Sequence, residues 1–394
     1  MAGNIVCPSC RAQAMRVFHS EPDVPVNSCL LLSSASDARD FPRGTIRLGH
    51  CAACGFISNT AFDVANVTYA AAYEETQGFS PRFRTFADQL ARRLIDAYDL
   101  HGKTILEIGC GKGEFLTLLC EIGENRGIGI DPSYIDQRNT SPARDRMTFI
   151  TDIYSEAYAE QTAAADFIVC RHTLEHIHPV ADFVRTVRRS IGDRGTPVFF
   201  EVPDAGRVLR EFAFWDIYYE HCSYFTPGSL ARLFRGEGFG LRSLGLDFDD
   251  QYVLLEADPG GTEAGGPLRG EDDIQAIARD VETFERDYAA KVARWKEDLE
   301  RATANGRRAV VWGSGSKGVA YLTTLGVRDE IPYTVDINPY KQGMYMAGTG
   351  QLIVAPEFLK DHRPDVVIVM NPIYLDEIRR DLEAMDIDAE LVAV

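Results

Sequence analysis

The sequence predicts an α/β protein in which a small cysteine-bearing part precedes two blocks of alternating strands and helices. Three observations predict this fold class. Short apolar runs alternate with helical patterns at the spacing of βαβ units, both blocks contain a strand that leads into a glycine-rich turn, and a long charged helix separates them. With 394 residues, the chain is long enough for two to three domains that each bury a core.

The composition and the net charge of the chain indicate which kinds of binding partner are disfavoured. The formal net charge of −18 argues against a nucleic-acid or anionic-membrane partner, because phosphate-rich surfaces bind clustered cations. No apolar run approaches the ~18 residues of a spanning helix, and no secretory leader is visible at residues 1–10. We therefore expect a cytoplasmic protein with a small-molecule substrate, whose nine cysteines are thiols or metal ligands rather than disulfides.

The N-terminal part, residues 1–70, carries two identical cysteine pairs, Cys7-x-x-Cys10 and Cys51-x-x-Cys54. Each pair suits a tight turn that places two thiolates on one side of a tetrahedral ion. Four thiolates leave no coordination position open for chemistry, so we predict a structural zinc ion that stabilises this part. A redox CxxC is the alternative, but it needs a helix start in a βαβ setting, which neither flank supplies.

The first α/β block follows this part. A helical pattern runs from Tyr69 through Leu94, and five short buried strands come next, before a late hairpin. The predicted strands lie at 104–108, 127–130, 147–150, 167–170 and 197–202, and those of the hairpin at 243–246 and 252–255.

The turn after the first of these strands contains Gly109, Gly111 and Gly113, which let the backbone approach a ligand closely. Glu107 precedes the turn, and Asp131 ends the next strand. A carboxylate at that strand tip is where doubly wound sheets hold a ribose diol. The set therefore predicts a nucleotide-containing cofactor, and an α/β domain with an empty turn is the alternative.

The second block follows a Gly-rich linker at 259–271 and a charged helix at 272–301, with predicted strands at 308–312, 333–336 and 366–370. The first strand leads into Gly313-Ser-Gly-Ser-Lys-Gly318, and Asp336 ends the next one. Taken alone, this fingerprint predicts a nicotinamide site and a dehydrogenase. The alternatives are a Rossmann-like domain kept for packing, or one that holds a substrate phosphate at the helix start.

Two segments rich in histidine, acids or aromatic residues follow strands of the first block. His172-Thr-Leu-Glu-His176 has metalloprotease spacing, but it emerges from a strand and is soon ended by proline, so it predicts a loop at the ligand-binding edge. The second segment, 214–226, is dense in aromatic residues and predicts a wall of the active site. The sequence leaves open whether Tyr218 or Glu220 is the nearer partner of His221, because helical and extended backbones place them differently.

Together these motifs resemble those of the NDP-sugar C-methyltransferases of deoxysugar biosynthesis. The E-x-G-x-G-x-G turn with its following acid is similar to motifs I and II of class I S-adenosylmethionine methyltransferases. The family joins a four-cysteine zinc domain, a methyltransferase domain and a C-terminal Rossmann-like domain without nicotinamide. We place these domains at 1–70, 71–257 and 306–394, with a linker and long helix at 258–305.

The resemblance also implies the chemistry and its residues. Family members remove the proton next to a sugar ketone, and the resulting carbanion takes the S-methyl group. By motif position, His221 is the base, Tyr218 and Glu220 line the sugar, His176 holds an oxygen and Tyr73 closes over the site. The residues implied for S-adenosylmethionine are Glu107, Gly109, Gly111, Gly113, Asp131, Asp152 and His172.

Two features depart from the family pattern. The segment after Tyr73 reads Glu-Glu-Thr-Gln-Gly-Phe-Ser where sugar-methylating relatives are Ser-rich, and His172 stands where Asn is common. Both features lie on the substrate side, so they bear on the identity of the acceptor more than on the type of reaction. The competing hypotheses are an O- or N-methyltransferase in which His221 deprotonates the acceptor, a dehydrogenase that uses the second glycine turn, and a non-catalytic zinc-bearing scaffold.

Overall fold

The computed structural model describes residues 5–260 and 266–394, so residues 261–265 of the predicted linker lie outside the described residues. Three β-sheets organise the described chain, and the predicted α/β class is confirmed. In neither described range is a helix long and apolar enough to cross a membrane.

The N-terminal sheet is antiparallel and is joined directly to the predicted active-site wall. Its third strand pairs with residues 223–224, which follow His221. This contact fixes the cysteine-bearing part against the central block. The elements are β1 (Met15–Pro25), α1 (Ala35–Arg39), β2 (Arg43–Cys51) and β3 (Ile57–Asn59).

The central sheet contains the predicted strands and the hairpin. Its strands are β4 (Thr104–Ile108), β5 (Arg126–Ile130), β6 (Met147–Ile150), β7 (Phe167–Arg171), β8 (Val198–Pro203), β10 (Phe239–Asp247) and β11 (Tyr252–Pro259), while β9 (Ser223–Tyr224) belongs to the N-terminal sheet. The spatial order is β6-β5-β4-β7-β8-β11-β10, and β11 runs antiparallel to both neighbours. β4 and β7 are parallel neighbours, and the chain adds strands to one side of β4 first (β5, β6) and to the other side afterwards (β7, β8). In such sheets a ligand is expected at the carboxyl ends of the two strands where this order reverses.

Six helices accompany this sheet: α2 (Pro81–Tyr98), α3 (Glu114–Ile122), α4 (Ala159–Ala164), α5 (Val180–Ile191), α6 (Ala205–Glu211) and α7 (Pro227–Gly236). The prediction that the first helix runs from Tyr69 is wrong, because α2 begins only at Pro81. Ser80 caps it by accepting a hydrogen bond from the backbone N–H of Phe83 at 3.2 Å. Tyr69 and Tyr73 have helical spacing, but the hydroxyl of Tyr69 contacts His176 and that of Tyr73 contacts Glu220.

The C-terminal sheet is entirely parallel, in the order β14-β13-β12-β15-β16. It shares one apolar cluster with β1 and the long helix α8, as Phe18, Phe284 and Val311 illustrate. Its elements are α8 (Ile274–Ala304), β12 (Ala309–Trp312), α9 (Ser316–Leu325), β13 (Tyr333–Val335), β14 (Leu352–Val354), α10 (Leu359–His362), β15 (Val366–Val369), α11 (Leu375–Ala384) and β16 (Glu390–Ala393).

Candidate active site

One large cavity lies at the carboxyl ends of β4, β5, β7 and β8. The turn after β12, Cys29 of the N-terminal part and the segment before α2 complete its wall. Its volume of about 1720 Å³ exceeds the ~300–1,000 Å³ that a single small-molecule site usually offers. The cavity therefore has room for a cofactor and a second ligand.

The glycine turn after β4 forms a cradle on the cavity wall. Gly109 has φ of +70°, and a Cβ there would collide with the side chain of Thr173. Gly111 has φ of +53°, and its backbone N–H donates to Oδ2 of Asp131 at 2.9 Å. The turn thus exposes bare backbone beside a carboxylate, which fits a ribose-bearing cofactor. Gly113 does not line the cavity, since a Cβ there would meet the ring of Phe149 at 2.7 Å.

Two further acids predicted to serve the cofactor lie on the same wall. Oε2 of Glu107 accepts a hydrogen bond from the backbone N–H of Leu116 at 2.9 Å, which ties β4 to the start of α3. Burial raises the pKa of Glu107 to about 8, against the lowering effect of Arg171. Asp152 is exposed, and the hydroxyl of Tyr158 donates to its Oδ2.

His172 lies on the cavity wall but is held from behind. Its Nε2 lies 2.7 Å from Oε1 of Glu201, and the guanidinium of Arg171 lies 2.7 Å from the same oxygen. Burial alone would raise the pKa of Glu201, but Arg171 and His172 hold it at about 2. Glu201 is therefore ionised and anchors His172 to the end of β8.

His221 sits in a tight turn that decides the question left open by the sequence. Its backbone N–H donates to the carbonyl of Tyr218 at 3.2 Å, and the two rings lie 4.1 Å apart between centroids. The ring of His176 lies 4.7 Å from the ring of His221. Burial lowers the pKa of His221 well below its usual value, so the imidazole is neutral at neutral pH and keeps a nitrogen lone pair available for general-base catalysis.

Glu220 lies behind this wall rather than on it, which corrects the expectation that it lines the sugar. It is fully buried, and its Oε1 accepts hydrogen bonds from the backbone N–H of Ser28 at 3.0 Å, the hydroxyl of Ser28 at 2.5 Å and the hydroxyl of Tyr73 at 3.3 Å. Burial raises the pKa of Glu220 to about 7, while the bonds from Ser28 lower it. Tyr218, His221 and Tyr73 do line the cavity.

His176 is fixed by Tyr69, a role that the helical spacing of Tyr69 does not indicate. Its Nδ1 lies 2.9 Å from the hydroxyl of Tyr69, which had been assigned to a helix by its spacing. Burial lowers the pKa of His176 to about 4, so this ring is neutral as well. Glu175, His176 and His221 also bring one ligand atom each within 4.8 Å of one another, and burial raises the pKa of Glu175 to about 8.

The second glycine turn faces the same cavity. Asp336 accepts hydrogen bonds from the backbone N–H of Ser314 at 3.1 Å and of Asn338 at 2.9 Å, so its carboxylate holds the turn itself. At the start of α9, the hydroxyl of Ser316 is hydrogen-bonded to the hydroxyl of Ser28 at 2.7 Å. The C-terminal sheet thus reaches the residue that binds Glu220. No sequence pattern distinguishes Ser28 as this link.

The four cysteines of the two CxxC pairs form a closed cluster. The Sγ atoms of Cys7 and Cys54 lie 3.7 Å apart, as do those of Cys10 and Cys51, and all four lie within 4.8 Å of one another. Four sulfurs at about 2.3 Å from one tetrahedral centre are about 3.8 Å apart, so the cluster could hold zinc. The two CxxC pairs also form the same kind of turn, because the backbone N–H of Arg11 donates to the carbonyl of Cys7 and that of Gly55 donates to the carbonyl of Cys51.

Comparison with known proteins identifies two parts of the chain. Residues 79–244 match a family model described as a methyltransferase domain, and residues 270–393 match one described as a C-methyltransferase C-terminal domain. The C-methyltransferase NovU of Streptomyces niveus is 28% identical over 297 residues, which cover 70% of this chain and 68% of NovU. These similarities support a C-methyltransferase family.

More distant similarities concern the methyltransferase part. The ubiquinone biosynthesis O-methyltransferase of Methylobacterium sp. (strain 4-46) is 28% identical over 117 residues, which cover 29% of this chain and 45% of that protein. The structure of magnesium protoporphyrin IX methyltransferase from Synechocystis PCC 6803 with bound S-adenosylmethionine aligns at 17% identity and a TM-score of 0.34. That alignment covers 45% of this chain and 80% of the other.

Proposed function

We propose that this chain, which its family matches identify as an S-adenosylmethionine-dependent methyltransferase, methylates the carbon next to a ketone of a nucleotide-linked deoxysugar. One observation carries the proposal: a buried, neutral histidine, His221, shares a single cavity with the glycine turn that fits the cofactor. The match of residues 270–393 to a C-methyltransferase domain favours carbon over oxygen or nitrogen as the acceptor atom.

His221 acts as the base in this proposal. Its neutral ring takes the proton from the carbon next to the ketone, and the electron pair of the broken C–H bond passes into an enolate. The cofactor supplies an electrophilic methyl group on a sulfonium. Bound S-adenosylmethionine would donate that methyl group to the enolate carbon and would leave as the neutral thioether, while His221 passes the proton to solvent.

The neighbours of His221 position the acceptor. His176 is neutral and held by Tyr69, so its ring suits a hydrogen bond to the enolate oxygen. The ring of Tyr218 lies beside that of His221, tilted by 49°, with the two ring centroids 4.1 Å apart. Glu220 acts from behind the wall as a positioning residue, because its carboxylate holds Tyr73 and Ser28 rather than facing the cavity.

The cofactor lies along the first glycine turn in this proposal. Asp131 binds the ribose hydroxyls, Asp152 lies beside the adenine, and Glu107, Gly109 and His172 complete the wall beneath it. Gly113 supports the turn by close packing, and the backbone N–H of Gly111 binds Asp131 at 2.9 Å.

A nucleotide-linked sugar fits the remaining space. The cavity is large enough for two ligands, and the second glycine turn adds the start of α9, Lys317 and Lys341 to its wall. Helix starts and lysines are groups that bind phosphate. Besides the backbone of its own turn, Asp336 binds the hydroxyl of Ser314 at 2.5 Å and lies 3.4 Å from Nζ of Lys341, two side-chain contacts that disfavour a nicotinamide ribose there.

Zinc and the domain boundaries belong to the same proposal. Cys7, Cys10, Cys51 and Cys54 would hold a structural zinc ion with no open position, so the ion stabilises residues 1–70 and takes no part in the reaction. The methyltransferase domain is proposed at 71–257 and the C-terminal Rossmann-like domain at 306–394, with 258–305 joining them.

Proton exchange tests the reaction type. The enzyme is incubated in D₂O with a nucleoside-diphosphate-linked keto-deoxysugar and S-adenosylhomocysteine, which has no methyl group to transfer. Deuterium should enter the position next to the ketone, because the base works without methyl transfer. Absence of exchange, together with a methylated hydroxyl or amine in the full reaction, would replace this proposal with O- or N-methylation.

A further inference from the structure

Glu75 is a carboxylate on the wall of the cofactor cradle for which the reaction proposed above has no use. It stands in the Glu-Glu-Thr-Gln segment, where the sequence departs from the Ser-rich family pattern. Its Oε1 lies 2.7 Å from the place that a Cβ of Gly111 would occupy, so the carboxylate lies directly against the glycine turn. About a third of its side chain, 33%, is open, and it lines the cavity.

The Glu75 carboxylate has no strong partner within the protein. Lys112 is its nearest cation, at 3.5 Å, and the ammonium of Lys112 directs two of its three N–H groups to the carbonyls of Tyr73 at 2.7 Å and Ser133 at 2.8 Å. Among residues 5–260 and 266–394, no other residue donates a hydrogen bond to Glu75, and its Oε2 is buried without one. A carboxylate with one buried oxygen that accepts no hydrogen bond, and a single cation 3.5 Å away, gains from a ligand that donates to it.

S-adenosylmethionine carries two positively charged groups, the sulfonium and the α-ammonium, and the shape of the cavity indicates which of them lies near Glu75. With the ribose at Asp131, the sulfonium must turn its methyl group toward His221, and the amino-acid half then passes over Gly109 and Gly111. Glu75 faces that part of the turn. A carboxylate beside the sulfonium would also slow the reaction, because the positive charge on sulfur decreases on the way to the transition state, whereas the ammonium charge persists throughout.

We propose that Glu75 binds the α-ammonium group of the methionine half of the cofactor. The inference rests on the cofactor lying along the first glycine turn, as proposed above, and not on the identity of the acceptor. Since the ammonium is equally charged before, during and after methyl transfer, this contact contributes the same binding to substrate and transition state. It sets the affinity for the cofactor and leaves the chemical step unchanged.

Calorimetry with three ligands tests the contact. Glu75→Gln should weaken both S-adenosylmethionine and S-adenosylhomocysteine by about tenfold or more, because a charge-assisted hydrogen bond is lost. Binding of 5′-methylthioadenosine, which has no amino-acid half, should stay the same. In steady-state kinetics KM for the cofactor should rise while kcat stays within about twofold.

Controls separate this inference from its premise. Asp88→Asn removes a carboxylate elsewhere on the same cavity wall, paired to Arg92 at 2.9 Å, and should change none of the three affinities. Asp131→Ala should weaken all three ligands, because each contains the ribose. If Asp131→Ala has no effect, the cofactor placement itself fails; if only Glu75→Gln has none, the ammonium contact alone fails.

The wild-type enzyme provides a test that needs no folded variant. It should bind S-adenosylhomocysteine about tenfold or more tightly than the analogue without the α-amino group. Glu75→Gln should bind the two equally. Loss of S-adenosylmethionine affinity alone, equal loss for 5′-methylthioadenosine, or no preference of the wild type for the amino group would each overturn the proposal.

Discussion

The phenol hydroxyl of Tyr73 donates a hydrogen bond to Oε1 of Glu220 at 3.3 Å, across 147 positions of the chain. The next residue, Glu74, binds the guanidinium of Arg138 at 2.6 Å and accepts a hydrogen bond from Asn338 at 2.9 Å. Glu75 then faces the cofactor turn. Three consecutive residues therefore join the base side of the cavity, the C-terminal sheet and the cofactor cradle.

Tyr73→Phe tests the first of these contacts. The substitution keeps the ring that lines the cavity and removes one of the three donors to Glu220 Oε1, so we expect kcat to fall by about threefold to thirtyfold. Cofactor affinity should not change, since Tyr73 contributes only its carbonyl to Lys112 near the turn. Tyr98→Phe, which loses a hydroxyl bonded to Glu256 at 2.6 Å outside the cavity, is the matched control and should keep its kcat. Equal rates in the wild type and Tyr73→Phe would contradict the prediction.

Asp131 and Asp336 offer a direct comparison of the two glycine turns. Each Asp directly follows a strand of its sheet, β5 for Asp131 and β13 for Asp336. Each carboxylate accepts a hydrogen bond from a backbone N–H of its glycine turn, from Gly111 at 2.9 Å and from Ser314 at 3.1 Å. We expect Asp131→Ala to weaken S-adenosylmethionine binding by about 1.5–3 kcal/mol through loss of a charge-assisted contact to the ribose. Asp336→Ala should leave that affinity unchanged in the same titration. The reverse outcome would assign the cofactor to the C-terminal sheet.

The zinc prediction concerns stability rather than rate. Purified protein should contain about one zinc ion per chain, and Cys51→Ser should lose it and lower the melting temperature, because metal binding is folding energy for such a site. Cys120→Ala removes a buried thiol of α3 outside the cluster and should keep the metal. Mass-spectrometric metal analysis of protein prepared without chelators checks both; a zinc-free wild type would refute the assignment.

The strands and turns were predictable because their signals are local. Residues 104–108 form β4 as predicted, since a short apolar run before glycines has few other structures available. The partners of Glu220 were not predictable. Ser28 lies 192 positions away in a loop, and nothing in its neighbourhood distinguishes it from other serines. Tyr69 and Tyr73 have helical spacing, but tertiary hydrogen bonds rather than a helix determine where they lie.

The buried carboxyl of Glu175 predicts a pH dependence of stability. Burial raises its pKa to about 8, so the folded protein keeps a proton that the unfolded chain releases above its usual pKa near 4.3. The contribution of Glu175 to the free energy of unfolding is therefore complete at low pH and is lost as the pH rises toward 8. Glu175→Gln cannot ionise, so its melting temperature should fall less than that of the wild type between pH 5.5 and 8. Glu211→Gln, at an exposed position, should follow the wild type, and identical slopes in all three proteins would contradict the prediction.

His221→Asn tests the proposed base most directly. Asparagine keeps a polar side chain of similar reach but has no nitrogen that takes up a proton near neutral pH, so kcat should fall by about 10²–10⁴. Cofactor affinity should stay at the wild-type value, because the closest ring contacts of His221 are Tyr218 at 4.1 Å and His176 at 4.7 Å, on the acceptor side. Deuterium exchange next to the ketone should disappear together with methylation, since both need the same proton removal. His101→Asn, an exposed histidine outside the cavity, is the control and should exchange normally. Exchange that survives in His221→Asn would transfer the role of base to another group of the cavity, and His176, the neighbouring neutral ring, would be the next residue to substitute.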